Sequence, residues 1–306
     1  MESFHQNIVA CYLYVITKYG YPPPAEDTFR YLEEYRELGF RSMELEGIRK
    51  EHLEKMHALG LQTRERAESL GLRVPVFCAV LPGLSSPEEK ERKASLDLFE
   101  MGCETAGMLG AEMILDNAPL PPWQFPEGIP VTRHYDEELL AGATIPDGMG
   151  WRGYMEGLVE TFRAACDMAA RRNLTFQLHP CYGALVHSTD AFLLFAEAVK
   201  RDNLRFNLDT ANQYFMKDNL YLSLIRLDGL VDYIHLSDNS GHRVEHLVPG
   251  SGKIDWYRFF ETLDRIGYSG RFGIDVGGTE SGVDDLDGAY RFSASWLTEN
   301  WYDHRE

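Results

Sequence analysis

The chain has 306 residues, 44% of them hydrophobic and 25% charged, which is ample for one large α/β core. A formal net charge of −18 argues against a nucleic-acid partner, because such binding draws on clustered Lys and Arg. Cys11, Cys78, Cys103, Cys166 and Cys181 stand singly without a CxxC pair, which argues against a disulfide framework and a thiolate zinc site.

The opening apolar run has no basic segment before it and Lys18 cuts it short. Neither a signal peptide nor a membrane helix is expected, and a reduced, cytoplasmic protein with no membrane partner fits. Strand-like runs then alternate with amphipathic helical patterns to the end of the chain. The strands are expected at Ile8–Tyr14, Arg41–Glu46, Arg73–Val80, Ala111–Asp116, Leu174–His179, Leu204–Asp209, Val231–Ser237 and Arg271–Val276. Between them, Ser86-Pro87-Glu88-Glu89 reads as a capping box with proline at the first helical position. Leu158, Phe162, Ala165 and Ala169 form an apolar stripe, and Asp255 would cap a helix striped by Trp256, Phe259, Phe260, Leu263 and Ile266. Eight β–α units without a linker predict a single (β/α)8 TIM barrel over 1–306, with a doubly wound open sheet as the weaker option. The longest connection, about Asn117 to Trp151, follows the fourth strand and is expected to lie over the active-site end. Its Trp123 and Phe125, with Trp151 and Tyr154 beside it, could stack on a sugar or an aromatic aglycone, or pack the loop down.

In a barrel the chemistry sits at the C-terminal ends of the strands, on the inward-facing residues. By alternation, Gln177 and His179 face inward in LTFQLHP, Asp209 in RFNLD, His235 in YIHL and Asp275 in FGIDV. Any one alone reads as an ordinary polar strand end. Four successive strands ending this way on one phase place oxygen and imidazole donors around one axial point, as a divalent Mn, Co, Mg or Zn ion requires. Glu44 and Glu46 are also inward but on the far side of the barrel, where both would contact substrate at best or simply bind Arg or solvent.

The motifs LDTAN, IHLSDN, HLVPGSGKIDW and GYSGRFGIDV resemble the sugar phosphate isomerase/epimerase superfamily. These are the xylose isomerase-like TIM barrels that include ketose 3-epimerases, the inositol-catabolism dehydratase and endonuclease IV. The likeness is strongest from Thr175 to Val276. It implies a metal held by Glu, Asp, His and Glu from the last four strands. Asp209 and His235 match the Asp and His, Asp275 takes the place of the last Glu, and Gln177 that of the first. An amide cannot accept a proton at neutral pH, so Asp275 or His179 would move the proton. His179 would be the alternative first ligand, leaving Gln177 to bind substrate. Asn212, Arg243 and His246 complete the substrate candidates, His246 through its place before the Pro249-Gly250 turn. Gly250-Ser251-Gly252-Lys253 lacks P-loop spacing and reads as a turn, and Gly277-Gly278 reads as a phosphate-admitting or simply tight turn.

The expected activity is a metal-dependent isomerase or epimerase that moves a proton next to the carbonyl of a small carbohydrate or cyclitol. A lyase or dehydratase on a sugar or glycoside, and a non-catalytic binding barrel, are the alternatives. An endonuclease-like phosphodiesterase is disfavoured by the acidic balance, and a homo-oligomer is left open.

Overall fold

The computed structural model describes residues 3–125 and 137–303. Nine strand segments form the sheet: β1 (Ile8–Ala10), β2 (Ser42–Ile48), β3 (Arg73–Val80), β4 (Met113–Asn117), β5 (Thr175–His179), β6 (Leu204–Phe206), β7 (Leu208–Asp209), β8 (Tyr233–Leu236) and β9 (Arg271–Ile274). Every pairing is parallel, in the order β6-β5-β4-β3-β2-β1-β9-β8-β7. β6 and β7 are the halves of the sixth expected strand, interrupted at Asn207. That residue bridges the seam: its backbone N donates to Leu178 O at 3.0 Å and its Nδ2 to Tyr233 O at 3.1 Å. The ring therefore closes as a TIM barrel of eight strand positions, one of them split.

Alternation sorts the two faces of the strands. Phe176 on β5 packs outward against Phe99 and Phe162 of the surrounding helices, with ring centroids 4.8 and 6.0 Å apart. Its neighbour Gln177 points into the barrel. The stripe Trp256, Phe259, Phe260 and Leu263 is buried, and Asp255 caps its helix by accepting from Arg258 N at 3.2 Å.

Two local expectations fail. The first strand ends at Ala10, and Leu13–Tyr19 is helical, with Ile16 N donating to Tyr12 O at 3.0 Å. The aromatic and β-branched run reads as strand by composition, but burying Tyr14 and Val15 on a helix satisfies the same apolar demand. Nor is Ser86 an N-cap. The helix starts at Glu89, and Ser86 Oγ accepts from Glu88 N at 3.1 Å and donates to Glu91 at 2.6 Å, so it shapes the turn before the helix.

The connection after β4 is partly outside the described residues. Within it, Gln124 and Thr144 form an antiparallel bridge. Tyr154 donates to Ser85 O at 3.0 Å and is buried, so it pins the connection instead of stacking on a ligand. Trp123 and Trp151 are exposed, and none of the three lines a cavity at the strand ends. No helix among the described residues is long and apolar enough to cross a membrane.

Candidate metal centre

His179, Asp209, His235 and Asp275 converge at the C-terminal ends of β5, β7, β8 and β9, with one donor atom from each within 4.8 Å of the others. All four side chains are buried. His179 Nε2 lies 3.0 Å from Asp209 Oδ2, and His235 Nδ1 lies 3.5 Å from Asp275 Oδ2. Register brings them together: Asp209 is the Cα partner of His235, and Asp275 N donates to Leu236 O at 3.1 Å just beyond β9. Asp209 also has a structural duty, capping the helix Thr210–Phe215 by accepting from Asn212 N at 2.8 Å.

Each imidazole is aimed by an outer partner. Asn117 Oδ1 sits 3.3 Å from His179 Nδ1, and Glu44 Oε2 sits 3.2 Å from His235 Nε2. These contacts leave His179 Nε2 and His235 Nδ1 facing the carboxylates. His235 Nδ1 is buried and makes only the long approach to Asp275 Oδ2 at 3.5 Å, a spacing that suits two ligands of one cation better than a direct hydrogen bond. Two carboxylates and two oriented imidazoles fit a divalent cation in donor type and charge. Two deeper groupings, Cys11 with Glu44 and His235, and Glu44 with Glu46 and Cys78, each need a thiolate. Burial pushes both thiols far above their ordinary range, so the outer group is the better site.

The carboxylates are held ionised by the imidazoles around them, and a cation would have to displace the proton that His235 carries. Burial would raise the Asp209 carboxyl, but hydrogen bonds from His179 and His246 hold it well below the usual range. Burial likewise opposes ionisation of Asp275, yet His235 and His246 keep it lowered. His235 is raised well above a normal imidazole despite burial, by Cys11, Asp275 and Glu44. His246 is raised to about 10, against burial, by Asp209 and Glu280.

The other sequence candidates divide. His246 joins the site, its Nε2 lying 3.7 Å from both Asp209 Oδ2 and Asp275 Oδ2. Glu46 lines the small cavity above the cluster. Gln177 does not reach the cluster: its Nε2 donates to Thr175 Oγ1 at 2.9 Å and to Asp232 Oδ2 at 3.4 Å, both toward the N-terminal end of the barrel. Gln177 Oε1 is buried without a partner, and the four-residue grouping contains His179, one inward position further along β5. Asn212 positions Asp209, donating from Nδ2 to Oδ2 at 2.6 Å, and lines neither cavity. Arg243 is 70% exposed at its side chain, pairs with Glu245 at 2.7 Å, and does not reach the site. Gly278 N donates to Thr17 Oγ1 at 2.9 Å, so that turn is tight packing and offers this amide to no phosphate.

Glu44, expected to contact substrate at best, instead orients His235, a role that sequence reasoning missed. Its inward phase was legible, but the barrel interior is narrow enough for a side chain from β2 to touch one from β8. Tyr233 helps hold it, donating to Glu44 Oε2 at 3.1 Å. Only a glycine admits that ring, since a Cβ on Gly273 would stand 2.3 Å from Tyr233 Oη.

The chain matches the family model described as xylose isomerase-like TIM barrel over residues 32–300. It is 25% identical over 155 residues to 2-oxo-tetronate isomerase of Pectobacterium atrosepticum, a match spanning 47% of this chain and 57% of that relative. D-psicose 3-epimerase from Clostridium cellulolyticum H10, solved with D-tagatose, superposes with a TM-score of 0.70 at 18% identity, covering 95% of this chain and 98% of that one. The apo form of 3-keto-D-glucoside 4-epimerase from E. coli gives a TM-score of 0.70 at 20% identity, covering 96% and 100%. At these identities the structural likeness establishes the fold alone.

Proposed function

The chain belongs to the xylose isomerase-like TIM barrel family, and from that premise we propose that it is a metal-dependent isomerase or epimerase of a sugar or cyclitol. The observation that carries this reading is the convergence of His179, Asp209, His235 and Asp275 within 4.8 Å. The curated relative and the structural neighbours, by name isomerases and epimerases, support it.

His179, Asp209, His235 and Asp275 would hold the cation. When bound, it supplies positive charge to a substrate carbonyl and the adjacent hydroxyl oxygen. The protein's own groups do the rest. Asp275, ionised and lining the small cavity, accepts the proton from the carbon next to the carbonyl. His246 stays protonated into the alkaline range and donates to the oxygen on which charge develops. Glu280, 3.4 Å from His246 Nδ1, keeps that ring charged and fixed. His179 is engaged by Asp209 and Asn117 and acts as a ligand, while Glu46 faces the bound sugar. The walls of Leu13, Ile16 and Val80 exclude water and strengthen these contacts.

The test is metal content measured beside turnover of a panel of ketoses and 2-keto acids. Asp209→Asn and His235→Ala are expected to lose stoichiometric Mn or Co and all activity while keeping the native circular dichroism. Asp275→Asn, where metal remains, is expected to lose at least ~10²-fold in turnover. Full metal content in both of the first two variants would sink the proposed site.

A further inference from the structure

Resting on that reading of the centre, we infer that the substrate is a glycoside carrying an apolar aglycone, and that the aglycone lies over the first half of the barrel. The cavity lined by three of the four clustered side chains, His179, His235 and Asp275, is small, about 30 Å³. It opens, through shared walls at Leu13, Ile16, Tyr21, Val80, Asn117 and His246, into a second cavity of about 390 Å³. A reacting sugar over the cluster leaves much of it to be filled.

The chemistry of the outer walls decides what fills it. They come from the segments after β1, β2, β3, β4, β8 and β9; in the part that the inner cavity does not share, Leu81, Pro82, Ala118 and Leu120 are apolar, and Arg49, Ser85, Asp116, Thr279 and Glu280 are polar. Several polar groups there are already engaged. Ser85 Oγ accepts from Leu120 N at 3.1 Å, and Asp116 Oδ1 accepts from Leu81 N at 3.2 Å and Asn117 N at 2.7 Å. Glu280 faces His246, and Arg49 stands exposed at the rim. A second sugar ring would set most of its hydroxyls against Leu13, Ile16, Val80, Leu81, Pro82 and Leu120, at a cost for each one left unpaired. An aryl or alkyl group makes no such demand and gains from burial.

The experiment titrates the Mn-loaded full-length chain with methyl β-D-glucoside, phenyl β-D-glucoside and D-fructose, reading Kd by calorimetry and Mn-induced relaxation of ligand protons by NMR. Phenyl glucoside is expected to bind at least ~tenfold tighter than methyl glucoside, the scale set by burying an aromatic ring. Leu120→Ser and Pro82→Ser, two variants in case one fails to fold, are each expected to cut that ratio at least ~threefold. Equal affinities, no glycoside binding, or an unchanged ratio in both variants overturns the inference. Relaxation of fructose protons without a phenyl preference keeps the metal-dependent sugar reading and removes the aglycone. A phenyl preference lost in the variants, without relaxation of sugar protons by Mn, keeps the aglycone subsite and removes the metal reading.

Discussion

Asp116 shows how a single side chain can work in the opposite sense to its neighbours. Burial without a cationic partner raises its carboxyl to about 8, and the two backbone donors from Leu81 and Asn117 offset only part of that. In the unfolded chain the same group titrates near ~3.9. Because the folded value is the higher, its stabilising contribution is complete below about pH 4 and is lost as pH rises through about 8. Asp116→Asn keeps the acceptor oxygen for both amides and removes the ionisation. The variant is therefore expected to match the parent at pH 4 and to melt at least ~2 °C higher at pH 8, and a constant difference across that range would refute the buried-carboxyl account. Nothing in the sequence set Asp116 apart from any strand-end aspartate, because burial is a property of the assembled loops. The sequence did distinguish Asp209, His235 and Asp275, whose phase and strand position are local facts. At Gln177, alternation fixes which face the residue takes but not how high along the barrel axis its side chain reaches.

At the scale of one element, the segment between β8 and the helix Trp256–Arg265 explains the motif that reads SDN followed by PGSGKIDW. Asp238 is fully buried and accepts from Asn239 N, Gly250 N, Ile254 N and Trp256 Nε1, at 2.8, 2.8, 3.1 and 2.9 Å. One carboxylate thus ties the start, the turn and the end of the loop. Gly252 is part of the same packing, since a Cβ there would stand 2.2 Å from Asp238 Oδ1. The clamp sets His246 by pairing Leu247 with Asp238 and His246 itself with Gly277. Asp238→Ala would strand four buried or partly buried donors, so a loss of at least ~3 kcal/mol in urea-monitored stability is expected. Catalytic rate should fall as well, because His246 loses its frame; unaltered stability would contradict the clamp. The motif was readable as a turn but not as a clamp, because its organising carboxylate lies twelve or more residues from most of its partners. The first strand was misread for a related reason: Tyr12 to Tyr19 carries residues that suit either strand or helix, and only the packing of Tyr14 and Val15 selects between them.

For the whole molecule, the split of the sixth strand and the position of the candidate metal centre belong to one argument. β5 pairs with β6 and β7 pairs with β8, and the barrel is joined across Asn207 by that residue's own bonds and by Phe206 N, which donates to Leu230 O at 2.9 Å. The cluster draws His179 from one side of this seam and Asp209, His235 and Asp275 from the other. A cation that binds the folded barrel and not the unfolded chain stabilises it by mass action, about 2.7 kcal/mol at a hundredfold excess over Kd. The expected outcome is a rise in melting temperature on adding Mn or Co to chelator-treated protein, reversed by EDTA. Asp209→Asn should abolish the rise. In EDTA that variant should fall below the parent, because His179 and His246 lose the carboxylate that balances them. Asn207→Ala makes the complementary test. It removes the side-chain bond to Tyr233 and should lower the melting temperature of the metal-free protein, while the increment on adding metal persists, since all four cluster side chains remain. If the metal increment disappears with Asn207→Ala but survives Asp209→Asn, the cation is bound elsewhere, and the convergence of the strand ends is a structural network of ion pairs with no metal-binding role.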